Sequence, residues 1–385
     1  MVGMESPIDE RTLTRIVSEL GPGLAEGVAT RDEHDAFCAG SFAQLKAKGL
    51  TRMAIPADLG GLDASHSAAC TTLRALARHD PSAALALSMH THAVSTLVYT
   101  HRRGASSATA TLRRVASGDL ILASTGGRDW LESNGELRAV EGGYRLRARK
   151  AFASGAPIAD LAVTSAPFRD PDEGWRVLHF AVPLDREGVR VGDDWVAHGM
   201  RATGSHTLFF DDVFVPADAI SLRRPRNAFP DMWHVVLGVA LPLIFAPYVG
   251  VAEAAADLGR SHARRRADDV ATQWSVGEMD SALIVARACH GRMVELARDL
   301  DFEPSVALSN ELLALESQVV DSVRTVTDAA MEAAGGVGFF RTTGLERLAR
   351  DVRAAHYHPL PEKAQRLLAG RVGLGLEPVD LSSFA

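Results

Sequence analysis

The sequence is poor in cysteine. Cys38, Cys70 and Cys289 are the only three in 385 residues, too few and too scattered for a disulfide framework or a tetrahedral zinc site. A reducing, cytoplasmic setting is therefore expected. Positive charge is not in surplus either: 41 Lys and Arg stand against 48 Asp and Glu, a net −7. Binding of nucleic acid needs a cationic face, so no nucleic-acid partner is expected. There is no GxGxxG after a strand, no P-loop, no HExxH and no GxSxG elbow, which removes the commonest nucleotide, metalloprotease and hydrolase readings. The fourteen histidines offer only the pairs His90/His92 and His356/His358. That spacing shares a face in a strand but not in a helix, and no metal site is expected. The chain opens without a basic patch leading into an apolar stretch, so no secretory signal is expected.

One long uncharged run is present, VVLGVALPLIFAPYVGVA at 235–252. It contains Pro242 and Pro247, lacks flanking Lys or Arg, and passes directly into the amphipathic AEAAADLGRSHARRR. A helix buried against other helices is expected, not a membrane span.

Hydrophobic residues make up 46% and charged residues 23% of the chain, a globular composition with length for two or three domains. The apolar period changes twice. From about Thr12 it is helical, as in RTLTRIVSEL and CTTLRALARHD. Near Asp119 it becomes two, through LILAST, YRLRARKAF, LAVTSA, RVLHFAVPL and HTLFFDDVFV. From about Asp231 it is helical again, in stretches such as ALIVARACHGRMVELARDL. This order predicts an α+β protein: an N-terminal helical domain (1–118), a middle antiparallel β domain of barrel or sandwich type (119–222), and a C-terminal four-helix bundle (223–385).

Four joints carry a resemblance. They are Ile55-Pro-Ala-Asp-Leu-Gly-Gly61, Lys150-Ala-Phe-Ala-Ser-Gly155, Gly199-Met-Arg-Ala-Thr-Gly204 leading to Phe209-Phe-Asp-Asp-Val-Phe-Val-Pro216, and Ala333-Ala-Gly-Gly-Val-Gly338 followed by Leu345-Glu-Arg and Arg350-Asp351. In that order and spacing they resemble the acyl-CoA dehydrogenase superfamily of flavoproteins across nearly the whole chain. The resemblance implies FAD (FMN being possible) between the β domain and the bundle, in a homodimer or homotetramer. Thr125, with Ser124 beside it, falls where the family hydrogen-bonds the pyrimidine end of the flavin. Ser154 falls where a Ser or Thr meets flavin N5, and Phe152 where an aromatic ring packs on it. Gly335, Gly336 and Gly338 correspond to the turn approaching a neighbouring subunit's cofactor, and Arg264 to the arginine that helps hold the diphosphate.

The departures bear on function. In the dehydrogenases the base is usually a glutamate nine residues after the Arg of the Arg-Asp pair; here that count from Arg350 lands on Pro359. The alternative position on the first bundle helix is Ala240. Glu362 is the nearest acid, one turn further on. Ser124-Thr-Gly-Gly-Arg-Asp-Trp130 stands in place of Thr-Glu-Pro, and Arg264-Arg-Arg-Ala-Asp-Asp269 in place of Arg-x-x-Phe-Gly. A side branch of the superfamily, the flavin-dependent monooxygenases of dibenzothiophene monooxygenase type, lacks the glutamate and carries histidines near the flavin. Asp80-Pro-Ser-Ala-Ala-Leu-Ala-Leu-Ser-Met-His90 and His358-Pro359 resemble its segments. A histidine there can donate a hydrogen bond or pass a proton.

Three functions follow as expectations. The first is a monooxygenase receiving reduced flavin from a separate reductase, with His90 and His358 at the reaction centre. The second is a dehydrogenase of acyl thioesters using Glu362 as a displaced base. The third is a non-catalytic flavoprotein subunit. Trp130, as a substrate contact, together with Trp233 and the 235–252 helix, suggests a small apolar or aromatic substrate.

Overall fold

The computed structural model describes residues 7–126 and 131–379. Six helices open the chain: α1 (Glu10–Ala25), α2 (Val28–Glu33), α3 (Ala39–Ala47), α4 (His66–Ala77), α5 (Pro81–Arg102) and α6 (Ser106–Gly118). Their starts are set by short polar side chains. Asp9 accepts the Thr12 N–H at 2.7 Å and Ser65 accepts that of Ala68 at 3.1 Å. Asp80 accepts that of Ala83 at 3.0 Å, with Pro81 supplying the preset φ of the first turn of α5.

Eight strands follow: β1 (Leu122–Ser124), β2 (Glu136–Val140), β3 (Gly143–Lys150), β4 (Leu161–Asp170), β5 (Gly174–Pro183), β6 (Val189–Val191), β7 (Leu208–Pro216) and β8 (Leu222–Pro225). They form one sheet in the order β6-β7-β3-β2-β4-β5-β8, with β1 also on β4. The antiparallel character expected from the sequence holds for β2–β3, β3–β7, β4–β5, β5–β8 and β6–β7. β1 and β2 instead run parallel to β4, at its two ends, so the sheet is mixed. Hairpin-length turns link β2 to β3 and β4 to β5, the other antiparallel pairs are joined by longer stretches, and the β1–β4 and β2–β4 links are long enough for parallel pairing.

The chain ends in α7 (Asp231–Ala263), α8 (Val270–Ala297), α9 (Val306–Ala334), α10 (Leu345–Asp351) and α11 (Glu362–Gly373). The apolar 18-residue window of α7 is 89% buried inside the protein, as the prolines and flanks predict. Two buried histidines serve this helix beside its first proline. His66 Nε2 donates to the Val239 carbonyl and His290 Nε2 to that of Pro242, both at 2.9 Å. A proline withholds an N–H and displaces neighbouring carbonyls, and buried carbonyls need donors.

There are two cores. Leu137, Leu146, Phe168, Leu178, Phe180, Phe210 and their neighbours pack within the sheet domain. The helices on both sides of it in sequence share a second, continuous core that runs from Leu13 to Leu368. The sheet domain is thus an insertion between two halves of one helical body.

Candidate active site

The sheet domain offers a hydroxyl chain and an exposed ring. Thr203 Oγ1 donates to the Met200 carbonyl at 2.9 Å, so it accepts from Ser205, 2.7 Å away. Ser205 in turn lies 2.8 Å from Ser154 Oγ. With the Ser205 proton already committed, Ser154 donates to Ser205 and keeps its lone pairs as an acceptor. Two residues earlier Phe152 is 45% exposed with φ +62°, a conformation costly for a bulky side chain. Its ring meets Trp195 edge-on at 6.0 Å. Thr125 is buried, its hydroxyl 2.8 Å from Thr164 and its N–H on the Val163 carbonyl at 3.2 Å. It pins the end of β1 to β4. Ser124 is partly exposed beside it. Trp130 lies outside the described residues.

His90 is not placed to act on a ligand. Its Nδ1 accepts the Leu122 N–H at 3.0 Å and its Nε2 donates to the Thr51 carbonyl at 2.6 Å. Burial holds the ring neutral, at about 4. It is a bracket that fastens α5 to β1, and both its nitrogens are spent. The residue that sequence reasoning missed is His92. Two helical positions further on, it points about 200° around α5. Its Nδ1 donates to the Ser88 carbonyl at 3.3 Å, which leaves Nε2 as an acceptor.

His358 receives support from across the fold. Its Nε2 lies 2.7 Å from the hydroxyl of Tyr248 on α7, and the rings of Phe245 and Tyr248 meet it edge-on at 5.8 and 5.5 Å. Burial, with His92 as an electrostatic neighbour, lowers His358 to about 4. Burial also pushes the Tyr248 hydroxyl well above its ordinary value, so it keeps its proton. The Tyr248 O–H has no other acceptor among the described residues, so it donates to Nε2 and fixes the His358 proton on Nδ1. His92 and His358 therefore present one acceptor and one donor.

Arg350 and Asp351 hold the two bodies together. Arg350 pairs with Asp32 of α2 at 2.6 Å and Glu346 at 2.8 Å, and donates to the His198 carbonyl at 3.0 Å. Asp351 is buried, and burial raises it to about 7; it accepts the Met200 N–H at 2.5 Å. Gly199 must be glycine here, because a Cβ would lie 2.3 Å from the Arg350 carbonyl. The same Met200 ends the hydroxyl chain of Ser154, so the clamp fixes the sheet half of the site.

The remaining expected residues are placed elsewhere. Glu362 sits in the first turn of α11 and pairs with Arg366 at 2.6 Å, a helix N-terminal carboxylate. Gly335 (φ +68°) packs under Arg266, not Arg264, and Arg266 donates to the Ala333 carbonyl at 2.8 Å. Arg264 and Gly336 are exposed and Gly338 is buried. Beside this turn Phe339 and Phe340 are 82% and 64% exposed. Trp233 is core: it is 5% exposed, under the Arg224 guanidinium and against His179. The apolar pocket expected from it is not formed by that residue.

Models of the N-terminal, middle and C-terminal domains of acyl-CoA dehydrogenase match residues 19–119, 124–213 and 243–362. The chain belongs to the acyl-CoA dehydrogenase superfamily. It is therefore a flavin-dependent oxidoreductase by family. An amino sugar nitrososynthase of Streptomyces rubradiris is 30% identical, over 90% of this chain and 85% of that protein. Dibenzothiophene monooxygenase of Mycolicibacterium goodii is 27% identical, over 87% and 85%. Among solved structures, KijD3 in complex with FMN and dTDP-3-amino-2,3,6-trideoxy-4-keto-3-methyl-D-glucose superposes with a TM-score of 0.87 at 28% identity, covering 97% of this chain and 96% of that one.

Proposed function

We propose that this protein is the oxygenase of a two-component flavin monooxygenase, using reduced flavin and molecular oxygen to oxidise an amine carried on a nucleotide-linked sugar. One observation carries the choice of monooxygenase over dehydrogenase. At the position of the usual base stands Pro359, and its neighbour His358 is a neutral imidazole fixed by Tyr248 at 2.7 Å. Glu362, the nearest acid in sequence, is engaged by Arg366. The substrate class rests on the amino sugar nitrososynthases among the relatives that match along most of the chain and on the dTDP-linked amino sugar in the KijD3 complex, while the aromatic-substrate expectation loses the support of Trp233.

The residues present suit a flavin. Phe152 exposes a flat apolar ring, and Ser154 keeps an acceptor of the kind that the N5–H of a reduced flavin requires. The bound flavin would supply the activation of oxygen. FMN and FAD both fit this requirement. The chain's own groups do the rest. Ser154 accepts, His358 Nδ1–H donates, and His92 Nε2, lowered by burial to about 4, accepts a substrate N–H. With His358 lowered to about 4, it acts at neutral pH as an N–H donor and not as an imidazolium. The exposed Arg264, the Gly335–Gly336 turn and Phe339 and Phe340 form a surface suited to a second copy of the chain, in a homodimer or homotetramer. A separate reductase would deliver the reduced flavin, in the cytoplasm.

Stopped-flow mixing of the photoreduced, flavin-loaded protein with oxygen tests this. A long-lived absorbance distinct from reduced and oxidised flavin is expected, with turnover of a dTDP-linked amino sugar but not of indole. Rapid reoxidation without that absorbance, together with bleaching of oxidised flavin by acyl-CoA, would establish the dehydrogenase instead.

A further inference from the structure

The loop after β6 carries an aromatic side chain with no part in the site described so far. Trp195 is half-buried there, whereas Asp193, Asp194 and Val196 around it are exposed. Its backbone N–H and that of Asp194 both donate to His206 Nδ1 at 3.1 Å. Its indole Nε1–H donates to the Met200 carbonyl at 3.3 Å. The same two anchors hold the stretch that carries Phe152 and Ser154. The His206 carbonyl accepts the N–H of Ala153, the residue between them, at 3.2 Å. The Met200 carbonyl also accepts from Thr203, the far end of the hydroxyl chain to Ser154. Both lone pairs of that carbonyl are thereby used, and Asp351 holds the N–H of Met200 from the helical body.

We propose that Trp195 is a positioning residue for the flavin, acting by bracing the ring of Phe152. This rests on the proposed seat of the flavin against Phe152 and Ser154. The two rings are inclined at 82° with their centroids 6.0 Å apart, the edge-to-face arrangement that aromatic quadrupoles favour. Phe152 needs such a support. Its backbone is in the left-handed region at φ +62° and the residue is 45% exposed, so nearly half of it lies open to solvent, with room to turn. A ring that turns must be frozen when a flat cofactor lies on it, and that ordering weakens binding. Trp195, fixed at both its backbone and its indole, holds the ring before the cofactor arrives. Its anchors are the residues that also fix Ala153 and Ser154, so the ring and the hydroxyl keep one spacing.

Fluorine NMR of the full-length apoprotein, with 4-fluorophenylalanine incorporated at Phe152, tests the brace without any cofactor. A single line displaced from that of the free amino acid is expected, and Trp195→Leu should move it toward the free value. A wild-type line already at the free value overturns the inference, whatever the variants do. Titration with FMN, oxidised and anaerobically reduced, then reads the consequence. Trp195→Leu should weaken binding roughly 2- to 12-fold, the worth of one edge-to-face pair. Phe152→Leu should weaken it at least as much, and adding Trp195→Leu to that variant should cost nothing further. Trp195→Phe keeps an aromatic edge and should restore most of the lost affinity. Losses that simply add in the double variant, or a Trp195→Leu protein that binds FMN normally while Phe152→Leu does not, would refute the positioning role. A displaced fluorine line in a wild type whose FMN affinity ignores both substitutions would instead refute the flavin seat at Phe152 and leave the ring contact standing.

Discussion

The Tyr248 hydroxyl and His358 Nε2 lie 2.7 Å apart, although 110 positions separate them in the chain. The tyrosine is fully buried on helix α7, which carries two prolines, and the histidine sits on the turn between α10 and α11. Burial keeps the phenol protonated and the imidazole neutral, and the phenol has no other acceptor among the described residues, so the pair selects the tautomer with the proton on Nδ1.

Tyr248→Phe removes that selection and little else. Flavin affinity should stay within about 3-fold, and the lifetime of the oxygen-reactive state should fall roughly 5- to 50-fold, the range for a lost hydrogen bond to a functional group. Nitrogen NMR of labelled histidine should show His358 shifting to a mixture of tautomers. A single unchanged tautomer in the variant would show that Tyr248 does not set it.

Ser154→Val should weaken binding of reduced flavin about 5- to 150-fold, since a half-buried acceptor is lost. Ser124→Val should change it far less, because among the described residues its side chain makes only a 3.5 Å contact with the Gly126 N–H. Titration of both variants with reduced flavin under anaerobic conditions compares them directly. Equal effects would place the flavin elsewhere on the sheet domain.

His90→Ala should be a stability mutant. It leaves the Thr51 carbonyl and the Leu122 N–H without partners in a buried place and opens a cavity, together worth about 2–4 kcal/mol. Urea unfolding should show the loss, while the folded fraction still forms the oxygen-reactive state. Full stability with lost oxygen reactivity would return His90 to the reaction centre.

Stability should fall steeply on mild acidification. His90, His92, His290 and His358 are held near 4 by burial, and His179 near 3, against 6.5 for free histidine. The unfolded chain takes up protons as the pH drops below 6.5 while the folded chain does not. Their contribution is therefore full above 6.5 and lost toward pH 4, by up to roughly 1.4 kcal/mol per pH unit per group. Asp351, raised to about 7, and Glu316, also raised, have the opposite sign, losing stability as pH rises, but they are two groups against five. The urea midpoint should be clearly lower at pH 5 than at pH 7; an equal midpoint would mean these histidines are solvated.

Much was settled by sequence alone. The change of apolar period from helical to alternating and back fixes which segments are helices and strands, because burial on one face imposes that period on each element. The glycine joints and the proline at 359 are local facts, and they sufficed to indicate the family and the missing base. Which histidine of α5 faces His358 was not legible there. Seventeen of the 22 residues of that helix are buried, so its pattern has no polar face to give its orientation. Only packing turned His90 onto the backbone of Thr51 and Leu122 and left His92 toward His358. The same holds for Tyr248, which looks like an ordinary member of α7 until the 356–361 turn is folded against it. Local patterns specify elements, but hydrogen bonds between side chains far apart in sequence exist only once the cores have closed and excluded water from around them.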